Sequence, residues 1–268
     1  MHLNTNLPIK LISTDFDGTI FAEFENPPIA EKLQELIGSL QSRGVKWAIN
    51  TGRDMSSLME SLARSKISIQ PDFLVLVERE IHRHDGIQYV GLHEWNERCT
   101  RAHRELFSRV LPDVPRLVDW VNARFRATIY EDAYSPFCLI AGNNLDADTI
   151  NDYLDAYCRD IPDLVVMRND VYARFSHVSF NKGTALAELA RQLGIDASEI
   201  FAAGDHLNDI PMLSRTYAKW LAAPQNAIEP VKSLVREQKG FISDLSHGEG
   251  IADALDRCLF RREAKNQR

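Results

Sequence analysis

Apolar residues fall along this chain in two alternating rhythms. Short, nearly unbroken runs over 9–14, 45–50 and 73–77 read as strands, and apolar residues at helical spacing over 29–41 and 55–63 read as the helices between them. The first helix stops at Arg43-Gly44, and the second is entered through Asp54 as an N-cap. Strands and helices alternating on short connections predict βαβ units and a parallel sheet, whose strands are apolar throughout because both faces are covered. The same rhythm returns near the C-terminus. A helix over 182–193 closes at Gly194, a strand follows over 199–203, and a short helix over 209–214 admits Pro211 in its first turn. A strand near 217–221 and helices near 228–237 and 250–260 complete the set.

Between about 79 and 176 the order changes. A polar-faced helix over 94–110, strands over 125–130 and 137–141, a helix over 146–158, and a hairpin of 164–167 with 171–175 turning at Asn169-Asp170 predict an α+β segment with an antiparallel sheet. The expected fold is therefore α/β, a doubly wound Rossmann-like parallel-sheet core with an inserted α+β domain. The core takes residues 1–80 and 177–268, and the insert takes 81–176. The last residues, RREAKNQR, read as a frayed end.

Composition narrows the class without naming it. At 268 residues with 44% hydrophobic and 26% charged residues, the chain has the make-up of an ordinary globular protein large enough for two domains. No apolar run approaches the roughly 18 residues of a membrane span, and the start MHLNTNLPIK lacks a signal peptide's basic and apolar regions. A cytoplasmic protein without a membrane partner is expected. Cys99, Cys138, Cys158 and Cys258 are scattered without zinc-ligand spacing and read as reduced packing residues. The net charge of −7, with no lysine or arginine block, argues against a nucleic-acid partner.

The candidate chemistry sits where strands end. Asp15 and Asp17 stand one residue apart in DFDGT, ahead of Gly18 and Thr19. Two acids where a buried strand surfaces cost desolvation and mutual repulsion unless a cation or a proton is shared between them. The pair fits a divalent metal, a nucleophile with a general acid, or both; it also fits a strand closed by an Asp-Gly turn. Thr51-Gly52-Arg53 meets the start of a helix, an arrangement that binds an anion through backbone N–H groups or simply caps the helix. Lys182, in Asn181-Lys182-Gly183, heads another helix, where a cation opposes the dipole and is either solvated or paired with a carboxylate or phosphate. Asp205 ends the strand over 199–203 in GDHLND, with Asp209 four residues on. Three strand-end carboxylates with Asp209 nearby make an oxygen-ligand site that suits Mg²⁺.

In this order and on these elements, DFDGT, TGR, NKG and GDHLND resemble the four motifs of the haloacid dehalogenase superfamily of phosphohydrolases. The long insert between the second and third motifs resembles the Cof-like subgroup with a type IIB cap. The resemblance covers about 1–80 and 177–268, including Ala223-Pro224-Gln225-Asn226-Ala227 and Gly248-Glu249-Gly250. It implies an Mg²⁺-dependent phosphatase acting on a phosphorylated small molecule, a sugar phosphate first in line, as a monomer or homodimer. Asp15 is then the nucleophile that forms an aspartyl-phosphate, and Asp17 the general acid and base. The Asp15 and Asp205 carboxylates and the Asp17 backbone carbonyl hold the metal, with Asp209 behind them orienting its water. Thr51 and Lys182 hold phosphoryl oxygens, and Gly52, Arg53, Asn208 and Asn226 belong to the phosphate and substrate contacts. Arg53 alternatively pairs with a core carboxylate.

Some residues depart from that pattern. Where the family often carries a small Asn-Gly segment after the third strand, this chain has Glu78-Arg79-Glu80, either a charged hinge or solvated linker residues, the latter favoured. His206 is either a group facing substrate or a surface histidine. His82 and His84 share one face if their segment is a strand, but no third ligand is evident, which argues against a second metal site. Arg124, Arg126, Arg168 and Arg174 are candidates for a second charged group on the substrate. A phosphotransferase or mutase using the same intermediate, and a phosphometabolite-binding module without turnover, are the competing readings. A dinucleotide-binding domain is disfavoured because the first strand-helix turn lacks GxGxxG and carries acids.

Overall fold

The computed structural model describes residues 7–260. The chain begins with β1 (Leu11–Thr14), α1 (Glu31–Ser42), β2 (Lys46–Asn50), α2 (Met55–Arg64), β3 (Phe73–Leu76), β4 (Glu80–His84) and β5 (Tyr89–Gly91). It continues through α3 (His93–Val110), α4 (Val114–Asn122), β6 (Ala127–Asp132), β7 (Ser135–Ala141), α5 (Asn144–Cys158), β8 (Leu164–Asn169) and β9 (Tyr172–His177). It ends with α6 (Lys182–Leu193), β10 (Ile200–Ala203), β11 (Trp220–Ala223), α7 (Glu229–Glu237), β12 (Phe241–Ile242) and α8 (His247–Phe260). Two compact units result, one running to Leu92 and resuming at Lys182, the other spanning His93–Asn181.

The first unit is built on a sheet of order β12-β11-β10-β1-β2-β3-β4-β5, parallel from β12 to β3 and antiparallel through the β3-β4-β5 meander. β1, β3 and β10 are buried at every residue, which explains the unbroken apolar sequences of β3 and β10; β1 also buries the small polar residues Ser13 and Thr14. Helix α1 turns Leu33, Ile37 and Leu40 inward at helical spacing, and they join Ile12, Trp47, Ile49, Phe201 and Leu255 in one core. From β1 the chain moves outward through β2 and β3, and on its return it passes the other way through β10, β11 and β12. The β1/β10 boundary is therefore a topological switch point, with a crevice beyond the strands' carboxyl ends. Thr14 pairs in register with Ala203, so Asp15 and Asp205 leave the sheet side by side.

The second unit has a four-stranded antiparallel sheet of order β6-β7-β9-β8. Its core joins Leu106 and Val110 of α3, Leu117 and Val121 of α4 and Ile150 and Leu154 of α5 to Phe137 and Phe175 of the sheet. The hairpin of β8 and β9 turns at Asp170, whose φ of 53° suits an acid in the left-handed region.

Several elements differ from the sequence reading for identifiable reasons. β4 and β5 extend the first sheet, beyond the expected start of the insert at residue 81; Ile81 is the one apolar residue of Glu80–His84, which hides the strand. Helix α4 forms despite Pro112 and Pro115, because proline is tolerated in a first turn. The helix expected over 209–214 is only a 3-10 turn at Leu207–Asp209, since Pro211 has no N–H and the Asp209 side chain is taken up elsewhere. β11 starts at Trp220 because Tyr217 and Ala218 donate to the Ser214 carbonyl in a turn. The final helix starts at His247. The expected fray over 261–268 lies outside the described residues.

Candidate active site

β1 delivers Asp15 into the switch-point crevice, its N–H tied to the Ala203 carbonyl at 2.9 Å. The residue is 5% exposed. Its Oδ1 accepts from Lys182 Nζ at 2.6 Å, and the same ammonium donates to Asp209 Oδ1 at 2.6 Å. Lys182, the first residue of α6, is wholly buried, so the solvated alternative for a lysine at a helix head does not apply. Burial alone would lower its pKa, but Asp15 and Asp209, with Glu78, raise it above the ordinary lysine range. Asn50, at the end of β2, steadies the helix start by donating from Nδ2 to the Lys182 carbonyl at 3.0 Å.

Asp205 completes the cluster. Asp15, Asp205 and Asp209 each offer an oxygen within 4.8 Å of the others. Asp205 Oδ1 accepts from the Thr19 hydroxyl at 2.6 Å. Asp209 uses its other oxygen, Oδ2, for the N–H groups of Asp205 at 2.8 Å and His206 at 2.9 Å. The loop is thereby folded around Asp209, and Gly204 is required because any Cβ there would collide with the Asp209 carboxyl group. Burial first, and Asp209 second, push the Asp205 carboxyl up to about 7. The same two causes hold the Asp15 carboxyl well above its usual range, with Lys182 opposing them. Three carboxylates around one ammonium leave an uncompensated negative charge in a buried, oxygen-lined place, and that fits a hard divalent cation.

Asp17 is turned to another partner. Arg53 holds both its oxygens, Nε to Oδ2 at 2.8 Å and Nη2 to Oδ1 at 2.6 Å, a bidentate pair in which Asp17 keeps 39% of its side chain exposed. The guanidinium lies 5.3 Å and 5.5 Å from the stacked rings of Phe16 and Phe21, and it also donates to Ser61 Oγ at 2.7 Å. Arg53 thus pairs with a carboxylate of this unit. Thr51 is buried at the end of β2, with its Oγ accepting the Arg53 N–H at 3.1 Å. Asn226 braces the acidic loop, donating to the Gly18 carbonyl at 2.7 Å and accepting the His247 N–H at 2.8 Å.

Glu78 and Arg79 correct the solvated-linker reading, for they are 9% and 4% exposed. Glu78 accepts from Asn208 Nδ2 at 2.8 Å and lies against Gly52. Thr19 and Asn50 also escaped assignment; Thr19 stands inside DFDGT, but Asn50 shows no chemical signal in the sequence. Among the arginines of the second unit, Arg168 pairs with Asp148, Arg174 lies 3.8 Å from Asp132, and Arg124 stacks 4.7 Å from Trp120.

The family model for haloacid dehalogenase-like hydrolases matches residues 12–76 and 123–255. The chain belongs to this family. Among its relatives, the 5-amino-6-(5-phospho-D-ribitylamino)uracil phosphatase YcsE of Bacillus subtilis is 25% identical over 264 residues, 93% of this chain and 96% of the relative. A phosphoglycolate phosphatase of Methanoculleus marisnigri is 41% identical over a shorter stretch of 75 residues, 28% of this chain and 30% of that protein. In fold, the chain matches the sucrose-phosphatase of Synechocystis sp. PCC6803, solved with sucrose and phosphate, at a TM-score of 0.71 and 18% identity over 94% of this chain and 98% of the other. The protein is a hydrolase of the Cof-like, haloacid dehalogenase type, in the class of phosphoric monoester hydrolases. No described helix is long and apolar enough to cross a membrane.

Proposed function

We propose that this hydrolase is an Mg²⁺-dependent phosphatase that removes the phosphoryl group of a small phosphorylated metabolite, a sugar or polyol phosphate, through an aspartyl-phosphate on Asp15. The observation that carries the reading is the Asp15 carboxylate at the switch point, bonded to a wholly buried Lys182 and flanked by Asp205 and Asp209. An Asp15 oxygen attacks phosphorus, the ester P–O bond breaks, and Asp17 gives a proton to the departing alkoxide. Asp17 then takes a proton from the water that attacks the aspartyl-phosphate, releasing inorganic phosphate and restoring Asp15. Two anions must meet in the first step, so in this reading Lys182 and the Thr51 hydroxyl would hold phosphoryl oxygens. Arg53 fixes the direction of the Asp17 carboxylate while leaving it partly open to solvent.

Asp15, Asp205 and the Asp17 carbonyl would hold Mg²⁺, with Asp209 bracing them; when bound, the ion offsets the charge of Asp15 and of the phosphoryl oxygens. The polyol preference draws support from YcsE, which by its name acts on a phosphorylated ribityl compound. The second unit serves in this proposal as the cap that selects substrate. Four free, buried cysteines suit a reducing compartment such as the cytoplasm. The test is Asp15→Asn with p-nitrophenyl phosphate. Turnover should require Mg²⁺ and fall by about a thousandfold or more in the variant, with an unchanged circular dichroism spectrum. Retained Mg²⁺-dependent turnover would remove Asp15 as nucleophile.

A further inference from the structure

Glu78 occupies a position that the reaction itself does not call for. Val77 and Glu78 both adopt the left-handed region, with φ of 44° and 67°, a strained conformation for a β-branched residue and an uncommon one for a glutamate. The turn is pinned on both sides, by the Val77 N–H on the Arg53 carbonyl at 3.0 Å and the Glu78 N–H on the Thr51 carbonyl at 2.8 Å. It therefore moves as one piece with the Thr51-Gly52-Arg53 segment. This backbone carries a carboxylate inward, to 9% exposure, where a Cβ built on Gly52 would lie 3.4 Å from Glu78 Oε1.

The partners of that carboxylate are few. Oε1 accepts from Asn208, and among the described residues no side chain donates to Oε2. Asn208 is itself 3% exposed, and its Oδ1 is a buried acceptor with no hydrogen-bond partner among the described residues. Its amide is oriented by Glu78, because the reverse orientation would set its oxygen against the carboxylate. The place beside the phosphoryl-holding segment thus offers acceptors and a negative charge. A hydroxyl on the substrate satisfies both, whereas a carboxylate meets like charge at short range in a poorly solvated setting.

We propose that Glu78, together with Asn208, is a specificity determinant that favours phosphomonoesters bearing a hydroxyl close to the phosphate and disfavours those bearing a carboxylate there. The proposal rests on the phosphatase reading above. It separates this chain from the phosphoglycolate phosphatases that it matches over part of its length.

A matched pair of substrates tests it: 2-hydroxyethyl phosphate and 2-phosphoglycolate differ only in CH₂OH against COO⁻. For each, kcat/KM is measured with Mg²⁺ on the full chain, and Ki against p-nitrophenyl phosphate where turnover is too slow to follow. The wild type should prefer the hydroxyl compound by about tenfold or more. Glu78→Gln, which removes charge at constant shape, and Glu78→Gly, which suits the positive φ, should each shrink that preference by about tenfold, chiefly by admitting phosphoglycolate. A wild type that prefers phosphoglycolate, or a preference unchanged in both variants, overturns the proposal. If the wild type fails to hydrolyse p-nitrophenyl phosphate with Mg²⁺, the phosphatase reading fails instead, and the ratio of the two compounds' Kd by isothermal titration calorimetry, in the wild type against both variants, decides the role of Glu78.

Discussion

Each charged residue at this site is answered by a specific neighbour, and the answers differ. Lys182 is shared between Asp15 and Asp209, Asp17 belongs to Arg53, and among the described residues Asp205 has only the Thr19 hydroxyl as a side-chain donor. The Asp205 carboxyl is accordingly pushed up to about 7, by burial first and then by Asp209. In an unfolded chain an aspartate titrates near 3.9. Between the two values the folded, metal-free protein binds a proton that the unfolded chain has released, so this group's contribution to stability falls as pH rises from about 4 to about 7 and is level above that. In EDTA, the stability of the wild type relative to Asp205→Asn should decline across that window in urea melts. Mg²⁺, which binds the ionised form, should flatten the decline. A relative stability independent of pH in EDTA would contradict the environment described for Asp205. The sequence announces these acids and their lysine by motif, but it does not announce burial: a lysine heading a helix reads as either solvated or paired, and a Glu-Arg-Glu run as a charged hinge or solvated linker, until the turns around them are placed.

At the scale of elements, helix α6 brings the ammonium to the acids, and it does so by close approach. A Cβ on Gly183, next to Lys182, would stand 2.7 Å from the Pro211 carbonyl carbon and 2.8 Å from Tyr217 Cε2. Gly183→Ala should therefore push the first turn of α6 off the loop that follows β10, with a loss of about 1–3 kcal/mol in denaturant unfolding and a fall in kcat as Lys182 leaves Asp15. An alanine variant as stable and active as the wild type would show that the contact yields freely. The parallel strands were legible because burial on both faces leaves an unbroken apolar run, as in Phe73–Leu76 and Ile200–Ala203. β4 was not, because Ile81 is its one apolar residue among Glu80, His82, Arg83 and His84, and α4 was masked by prolines placed where a helix can accept them.

For the whole molecule, the difference between the units is one of continuity. The second unit is a single stretch, His93–Asn181, with its own core of Leu106, Leu117, Phe137, Ile150 and Phe175. A fragment of those residues is expected to unfold cooperatively on heating, with dispersed amide resonances; a featureless spectrum would show that its core needs the rest of the chain. The discontinuity of the first unit was readable from the order of the motifs, while its border was not, since the β4-β5 hairpin prolongs the first sheet past the strand where the rhythm breaks. That discontinuity also sets a schedule. Asp15 is joined to a lysine 167 residues further on, Asp205 to a threonine 186 residues before it, and Asn226 to a glycine carbonyl 208 residues before it. At about 5–20 residues per second of synthesis, the first acids emerge roughly 10–30 s ahead of their ammonium. They wait in water, where their charge costs nothing, and β1 can close against β10 only once the residues that neutralise them have been made.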